Sequence, residues 1–285
     1  MAVDISRKIR DTFPTLSKGQ KRIADSILEN YDKVAYMTAA NLAKFVGTSE
    51  STVVRFARVL EFDGYSELQR AVQELVRTKL TPNQRIEITK KRIGSGDILE
   101  SVMESDINKI RYTMERINRE TFDFAVRSIL SAKNIYVMGA RSTEPIALVL
   151  KYNLSLIFDN VKYITPTSTA EVFEQMFSIG KEDVLVAFSF PRYSSKMVSA
   201  VKFARQNNAE VVVFTDSDIS PLAEYATCLL TAQSDMASYM DSFVAPISII
   251  NAIIVEITQR REKEITQRFD RLEKVWDEYE VYTKR

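Results

Sequence analysis

Two fold classes follow one another in this chain. An all-helical segment comes first, then an α/β body of three layers with a five-stranded parallel sheet. Three observations predict this. From Ile5 to Lys79, apolar residues recur at helical spacing and no strand pattern interrupts them. From Ile135 to Leu230, five short apolar runs alternate with helical stretches, as parallel strands alternate with crossover helices. Between the two, Thr81-Pro82-Asn83 breaks the helical pattern, and a polar, basic stretch through Lys90-Lys91-Arg92 ends in Gly94-Ser95-Gly96. The 285 residues therefore divide into a helical domain over 1–79, a linker over 80–97 with one helical turn, and a body over 98–285.

The helical domain reads as roughly five helices. Ile5, Ile9 and Phe13 mark a first, ended by Pro14, and Ser17 caps a second that Asn30 closes. Tyr31 to Met37 leads into the stretch around which the domain is organised. There Leu42, Ala43 and Val46 line one helix, and Val53, Phe56, Ala57 and Leu60 line the next. Thr38 caps the first of these, Gly47 takes the left-handed conformation that ends it, and Thr48 or Ser49 caps the second. Ala43, Gly47 and Val53 have the spacing of a helix-turn-helix, whose second helix enters the major groove of DNA. Its outward residues are short hydroxyls near the N-terminus, then two arginines. Thr48, Ser49, Ser51, Thr52, Arg55 and Arg58 are the expected DNA contacts. After a turn at Gly64, Ser66 is expected to cap a last helix running to Lys79.

Composition narrows the chemistry. The chain is 45% hydrophobic and 27% charged, a normal globular balance. Residues 1–92 carry 17 Lys and Arg against 11 Asp and Glu, a net +6; the remainder carries 22 against 27, a net −5. A basic end on an acidic body fits a nucleic-acid partner at that end. There is no histidine and one cysteine, Cys228, inside an apolar run. This removes Ser-His and Cys-His catalysis and speaks against a zinc site, so no catalytic residue, metal or cofactor is expected. Phe243–Ile257 is apolar but broken by Pro246, Ser248, Asn251 and Glu256; it reads as a buried helix, not a membrane span. With no signal-peptide pattern, the expected location is the cytoplasm.

In the body, Ile98 to Leu130 is helical. The strands are Ile135–Met138, Val161–Ile164, Val184–Phe188, Val211–Phe214 and Thr227–Leu230, with helices over Glu144–Phe158 and Ser194–Asn207. Ligands of such sheets sit beyond the carboxyl ends of the strands. The first strand runs into Gly139-Ala140-Arg141-Ser142-Thr143-Glu144, and the second into Thr165-Pro166-Thr167-Ser168-Thr169. The third runs into Ser189-Phe190-Pro191-Arg192-Tyr193-Ser194-Ser195, and the fourth into Thr215-Asp216-Ser217. Hydroxyls, helix starts and two arginines at one edge make an anion site, most naturally for phosphate. The expected ligand residues are Gly139, Arg141, Ser142, Thr143, Ser189, Arg192, Tyr193, Ser194 and Ser195. Asp235 and Ser238, after the fifth strand, are candidates for the site or for helix capping. The tail over Glu262–Tyr282 is an amphipathic helix that packs on its own body or on a partner subunit.

Three blocks carry a more specific resemblance. Leu16-Ser17-Lys18-Gly19-Gln20-Lys21-Arg22-Ile23-Ala24, Ser51-Thr52-Val53-Val54-Arg55-Phe56 and Phe62-Asp63-Gly64-Tyr65-Ser66-Glu67-Leu68 resemble the N-terminal domain of the RpiR/MurR family of bacterial transcription regulators. Glu61 departs from that family's usual glycine or asparagine. From Ile135 to Arg260 the body resembles the sugar isomerase (SIS) domain, which binds phosphosugars. Two departures mark its loops. Gly139, Arg141 and Thr143 stand where two glycines and a serine are usual, and Pro191, Arg192 and Ser194 where serine, glycine and threonine are usual. The resemblance implies a transcription regulator of sugar metabolism that binds operator DNA as a dimer or tetramer, under control of a phosphorylated sugar or sugar-acid effector. The alternative is a phosphosugar isomerase with an appended helical domain, in which Glu144 or Glu171 would have to be the base. A third reading is a scaffold whose helices contact protein. Arg141 and Arg192, added where glycine is usual, lead us to expect an effector with two anionic groups.

Overall fold

The computed structural model describes residues 5–94, 96–165 and 167–283. Ser95 and Pro166, and the side chains of Asp32, Glu74, Arg77, Thr78, Lys79, Lys91 and Arg92, lie outside the described residues. The chain divides into two compact units, Met1–Arg85 and Ile86–Arg285.

The first unit contains α1 (Ile5–Thr12), a 3-10 turn at Phe13–Thr15, α2 (Lys18–Glu29), α3 (Tyr31–Val34), α4 (Ala39–Val46), α5 (Glu50–Val59) and α6 (Tyr65–Lys79). Its core is the apolar set read from the sequence: Ile9, Ile23, Ile27, Leu42, Val53, Phe56, Leu60 and Leu68 are fully buried. Ser17 and Gln20 form a reciprocal capping box at the start of α2. The single turn of α3 lies within the expected lead-in from Tyr31 to Met37. Ser66 is one residue inside α6 and does not cap it. The Glu67 carboxylate instead accepts the Asp63 N–H at 2.7 Å, while the Tyr65 hydroxyl donates to the Met37 carbonyl at 2.6 Å.

The expected one-turn linker is instead a three-turn helix, α7 (Pro82–Ile93). The reason is local. Gln84 N–H donates to Thr81 Oγ1 at 3.3 Å and Thr81 N–H to Gln84 Oε1 at 2.9 Å. Proline at the first helical position lacks only an N–H that would have no partner anyway, so Thr-Pro-Asn starts a helix here.

The second unit opens with α8 (Ile98–Arg116) and α9 (Arg119–Ser131). The strands are β1 (Ile135–Gly139), β2 (Val161–Tyr163), β3 (Val184–Phe188), β4 (Glu210–Thr215) and β5 (Cys228–Thr231). Between and after them lie α10 (Glu144–Ile157), α11 (Thr169–Gln175), α12 (Ser195–Gln206), α13 (Val244–Arg260) and α14 (Glu262–Glu278). The sheet order is β2-β1-β3-β4-β5, all neighbours parallel, with Gly139 opposite Phe188. The chain leaves β1 toward β2 on one side and returns to β3 on the other, so the switch point lies between β1 and β3.

Every residue of β1 and β3 is buried, as the unbroken apolar runs require. One face, with Val137, Val186, Phe188 and Phe214, packs against Leu150, Ile250 and Ile253, and Phe188 stacks on Phe214 at 4.5 Å. The other, with Tyr136, Leu185 and Val211, packs against Val172, Met197 and Val201. Each such side chain contributes about 1.5–3 kcal/mol on burial. The tail packs on its own body. Ile265 is buried, and Arg268 donates to the Leu156 carbonyl and to Asp159, both at 2.7 Å. Among the described residues no helix is long and apolar enough to cross a membrane.

Candidate functional site

In the N-terminal unit, α4 ends at Gly47 in the left-handed conformation (φ 67°) and α5 begins at Ser49. Ser49 Oγ accepts the Thr52 N–H at 3.3 Å and lies 2.8–2.9 Å from the hydroxyls of Ser51 and Thr52. Ser49, Ser51, Arg55 and Arg58 are exposed, and Thr48 and Thr52 half-buried. The last two face α2. A side chain at Gly19 would come within 3.2 Å of Thr48 and 3.4 Å of Thr52. A row of hydroxyls followed by two solvent-facing arginines is thus presented by one helix, steadied behind by another.

At the strand ends of the second unit the expected residues divide into two kinds. Thr143 is 5% exposed, and its hydroxyl lies within 3.0 Å of Ala140 N, Ala140 O and Phe188 O. It ties the loop after β1 to the end of β3. Gly139 has no room for a side chain: a Cβ would lie 2.5 Å from the Thr143 carbonyl and 2.8 Å from Ala147 Cβ. Its absence of a side chain lets α10 close onto β1. These two shape the site from beneath.

The other kind lies mostly at the surface. Arg141 (φ 58°), Ser142, Arg192 and Ser195 are exposed, Ser194 is half-buried at the start of α12, and Ser189 is buried. Among the described residues neither arginine makes a hydrogen bond or ion pair, nor do the hydroxyls of Ser142, Ser189, Ser194 and Ser195. Glu171, in the first turn of α11, is engaged elsewhere. Glu171 forms a capping box with Ser168, and hydrogen bonds from Thr167 and Ser168 hold its carboxyl below the usual range. Burial, then the charge of nearby Glu144, pushes the Tyr163 phenol up.

Asp235 and Ser238 lie in a small hairpin closed by pairing of Met236 with Asp241, and neither caps α13, which begins without a side-chain cap. Phe243, next to this hairpin, packs edge-on against Phe190 of the loop after β3 at 5.4 Å.

Two comparisons decide the lineage. A family model for the rpiR-family helix-turn-helix domain matches residues 3–79, and one for the SIS domain matches residues 128–256. The chain belongs to the RpiR family of transcriptional regulators. The HTH-type transcriptional regulator HexR of Escherichia coli is 25% identical over 272 residues, 91% of this chain and 89% of that protein. An HTH-type transcriptional regulator of Haemophilus influenzae is 28% identical over 231 residues, 80% of this chain and 79% of that one. Among solved structures, the Vibrio vulnificus NanR protein complexed with ManNAc-6P aligns with a TM-score of 0.62 at 21% identity, covering 99% of this chain and 100% of that one. The sugar isomerase domain of an RpiR transcription factor from Sphaerobacter thermophilus gives 0.58 at 23% identity, covering 61% and 97%. RpiR membership places the helix-turn-helix and the SIS domain in one regulator.

Three groups escaped the sequence reading of this RpiR-family chain. Asp216 accepts the Tyr193 hydroxyl at 2.8 Å and so orients the aromatic ring of the β3 loop. Lys196, in the first turn of α12, donates to the Thr167 carbonyl of the β2 loop. Lys109 is buried on α8. The first two stand within or beside the strand-end loops, a signal that was present but unused; nothing in the spacing of α8 marks Lys109.

Proposed function

We propose that this RpiR-family regulator is switched by a phosphorylated sugar or sugar acid bound at the ends of β1 and β3. One observation carries the reading: Arg141 and Arg192 stand exposed beside four hydroxyls, without an acidic protein partner among the described residues. Guanidinium forks match phosphate and carboxylate oxygens in pairs. Phosphate sits among Ser142, Ser189, Ser194 and Ser195, and a second anionic group of the ligand takes the remaining cation. A neighbour of the same fold was solved with ManNAc-6P, which supports a phosphosugar. Tyr193 is a further wall of the site; Asp235 and Ser238 are outlying members.

Regulation rather than isomerisation is the preferred activity. Isomerisation needs a positioned base with a tuned pKa. Glu171 is tied into its cap and Asp216 holds the Tyr193 hydroxyl, which leaves Glu144 at the start of α10. The DNA contacts are Thr48, Ser49, Ser51, Thr52, Arg55 and Arg58, and the protein acts in the cytoplasm as a homodimer or a tetramer on double-stranded operator DNA. Calorimetric titration tests the effector. A sugar monophosphate and its phosphorylated sugar-acid analogue are compared in wild type and Arg192→Ala. The sugar acid should bind at least tenfold more tightly, and the substitution should erase that difference. Equal binding of both ligands, weakened equally by the substitution, would remove the second anion from the proposal.

A further inference from the structure

The N-terminal unit carries a carboxylate on the surface that would face DNA. Glu50 is the first residue of α5, directly after the Ser49 cap, and it is exposed. With Ser51, Val54, Arg55 and Arg58 it falls at i, i+1, i+4, i+5 and i+8, which is one face of a helix. Val53, Phe56 and Ala57 take the buried face. Glu50 therefore shares the face that carries the two arginines. Recognition helices of this motif meet base edges through their N-terminal residues, which sets Glu50 nearer the bases than Arg58.

The fold makes little use of this carboxylate. A glutamate closes a capping box from the third helical position, which here is Thr52, its hydroxyl 2.8 Å from Ser49 Oγ. Glu50 stands at the first position. Ion pairs along a helix join residues three or four apart. Those positions are Val53 and Val54 going forward, Gly47 and Val46 going back, and none is a cation. Arg55, on the same face, turns its Nε to the Ser51 carbonyl at 3.3 Å. Among the described residues Glu50 makes no hydrogen bond or ion pair. What it gives the fold is a negative charge at a helix start, which suits the macrodipole.

On DNA that charge needs a partner. The major groove is walled by phosphates, and a carboxylate carried into it is repelled unless a donor meets it. The groove offers two donors, the amino groups of adenine and cytosine. Adenine's is flanked by acceptors on both sides, its own N7 and the O4 of thymine. Cytosine's has an acceptor only on the side of its paired guanine. We infer that Glu50 is a specificity-determining residue, whose carboxylate accepts a hydrogen bond from the N4 amino group of one cytosine in each half-site. At that position it also rejects guanine and thymine, whose acceptors it would face. The inference rests on α5 being the helix that lies in the groove.

The test selects double-stranded DNA from a random pool with the full chain, as wild type, Glu50→Ala and Glu50→Lys. Both substitutions replace an exposed side chain without a protein bond among the described residues, so both should fold. Wild type should enrich two half-sites with a cytosine fixed at one position of each. Glu50→Ala should keep the other enriched positions and lose that cytosine. Glu50→Lys, with a donor in place of an acceptor, should exchange it for guanine. In fluorescence anisotropy, wild type should prefer the selected sequence over one with thymine at that position by about fivefold or more, the lower end for one base contact. Glu50→Ala should bind the two alike. A purely structural Glu50 would weaken both sequences equally and leave the preference intact, and that result overturns the inference. So does a Glu50→Ala selection identical to the wild-type one. If wild type enriches a sequence that Arg55→Ala or Arg58→Ala weakens, the failure belongs to Glu50 alone. If no sequence is enriched, or neither arginine variant weakens binding, α5 is not the helix in the groove and both readings fall.

Discussion

At the residue scale, two non-glycine residues hold left-handed backbone at positions where the family resemblance led us to expect glycine or asparagine: Glu61 at φ 59° and Arg141 at φ 58°. An L-residue pays about 1–2 kcal/mol for that conformation. For Glu61 a short ion pair with Lys8, at 2.6 Å, ties the strained turn to α1, and the lysine holds the carboxyl below its usual range. For Arg141 no compensating contact is present among the described residues, so the strain sits where a ligand would bind. Arg141→Gly is therefore expected to raise the thermal stability of the second unit by about 1 kcal/mol while weakening sugar-phosphate binding at least tenfold. Differential scanning calorimetry with ligand titration checks this; a variant that loses both stability and binding would show the arginine to be structural. Arg141 was legible as a departure from a pattern. That Thr143 and Gly139 serve packing was not, because a hydroxyl bonded to backbone and one left open read alike in sequence.

At the scale of elements, the apolar periods gave strands to within about a residue, since unbroken runs such as Val184–Phe188 admit no other buried element of that length. Misreadings fell where capping chemistry decides. Thr81-Pro82 starts a helix instead of ending one, Ser168 and Glu171 nucleate α11, and Glu67 rather than Ser66 organises the start of α6. Helix α5 exposes Ser51, Arg55 and Arg58 of its expected outward face, while Thr52 is half-buried against α2. Arg55→Ala should cost operator binding about 1–3 kcal/mol if it reads a guanine, and Arg58→Ala should weaken binding more evenly across sequences. Unchanged affinity in both variants, by fluorescence anisotropy, would remove α5 from the groove. On β5, burial and then the charge of Glu210 push the Cys228 thiol up from 9.0 to about 12. The unfolded thiol ionises first, so stability is complete below about pH 9 and falls as pH rises from there toward 12. Urea midpoints should decline from about pH 8 to about pH 10.5 more steeply in wild type than in Cys228→Ala. Parallel declines would show that other groups govern the alkaline limb.

At the scale of the molecule, a single helix-turn-helix covers only a short half-site, and two copies are needed for useful specificity. The second unit exposes an apolar stripe on α8 with Leu99 at 70%, Met103 at 57% and Met114 at 59%. Such a stripe is apolar helix surface suited to a two-fold contact. Light scattering at micromolar concentration should give a dimer or tetramer, and a monomer would contradict this. The measurement that bears most directly on the regulator as a whole is selection of double-stranded DNA from a random pool by the full chain, repeated with each of a set of phosphorylated sugars and sugar acids. The expected result is one enriched sequence built of two half-sites, bound with a steep loss of affinity on added salt, and at least one phosphorylated ligand that changes that affinity tenfold or more. No enriched sequence, or an enriched sequence whose affinity no phosphorylated ligand alters, would contradict a DNA-binding regulator governed by its SIS domain.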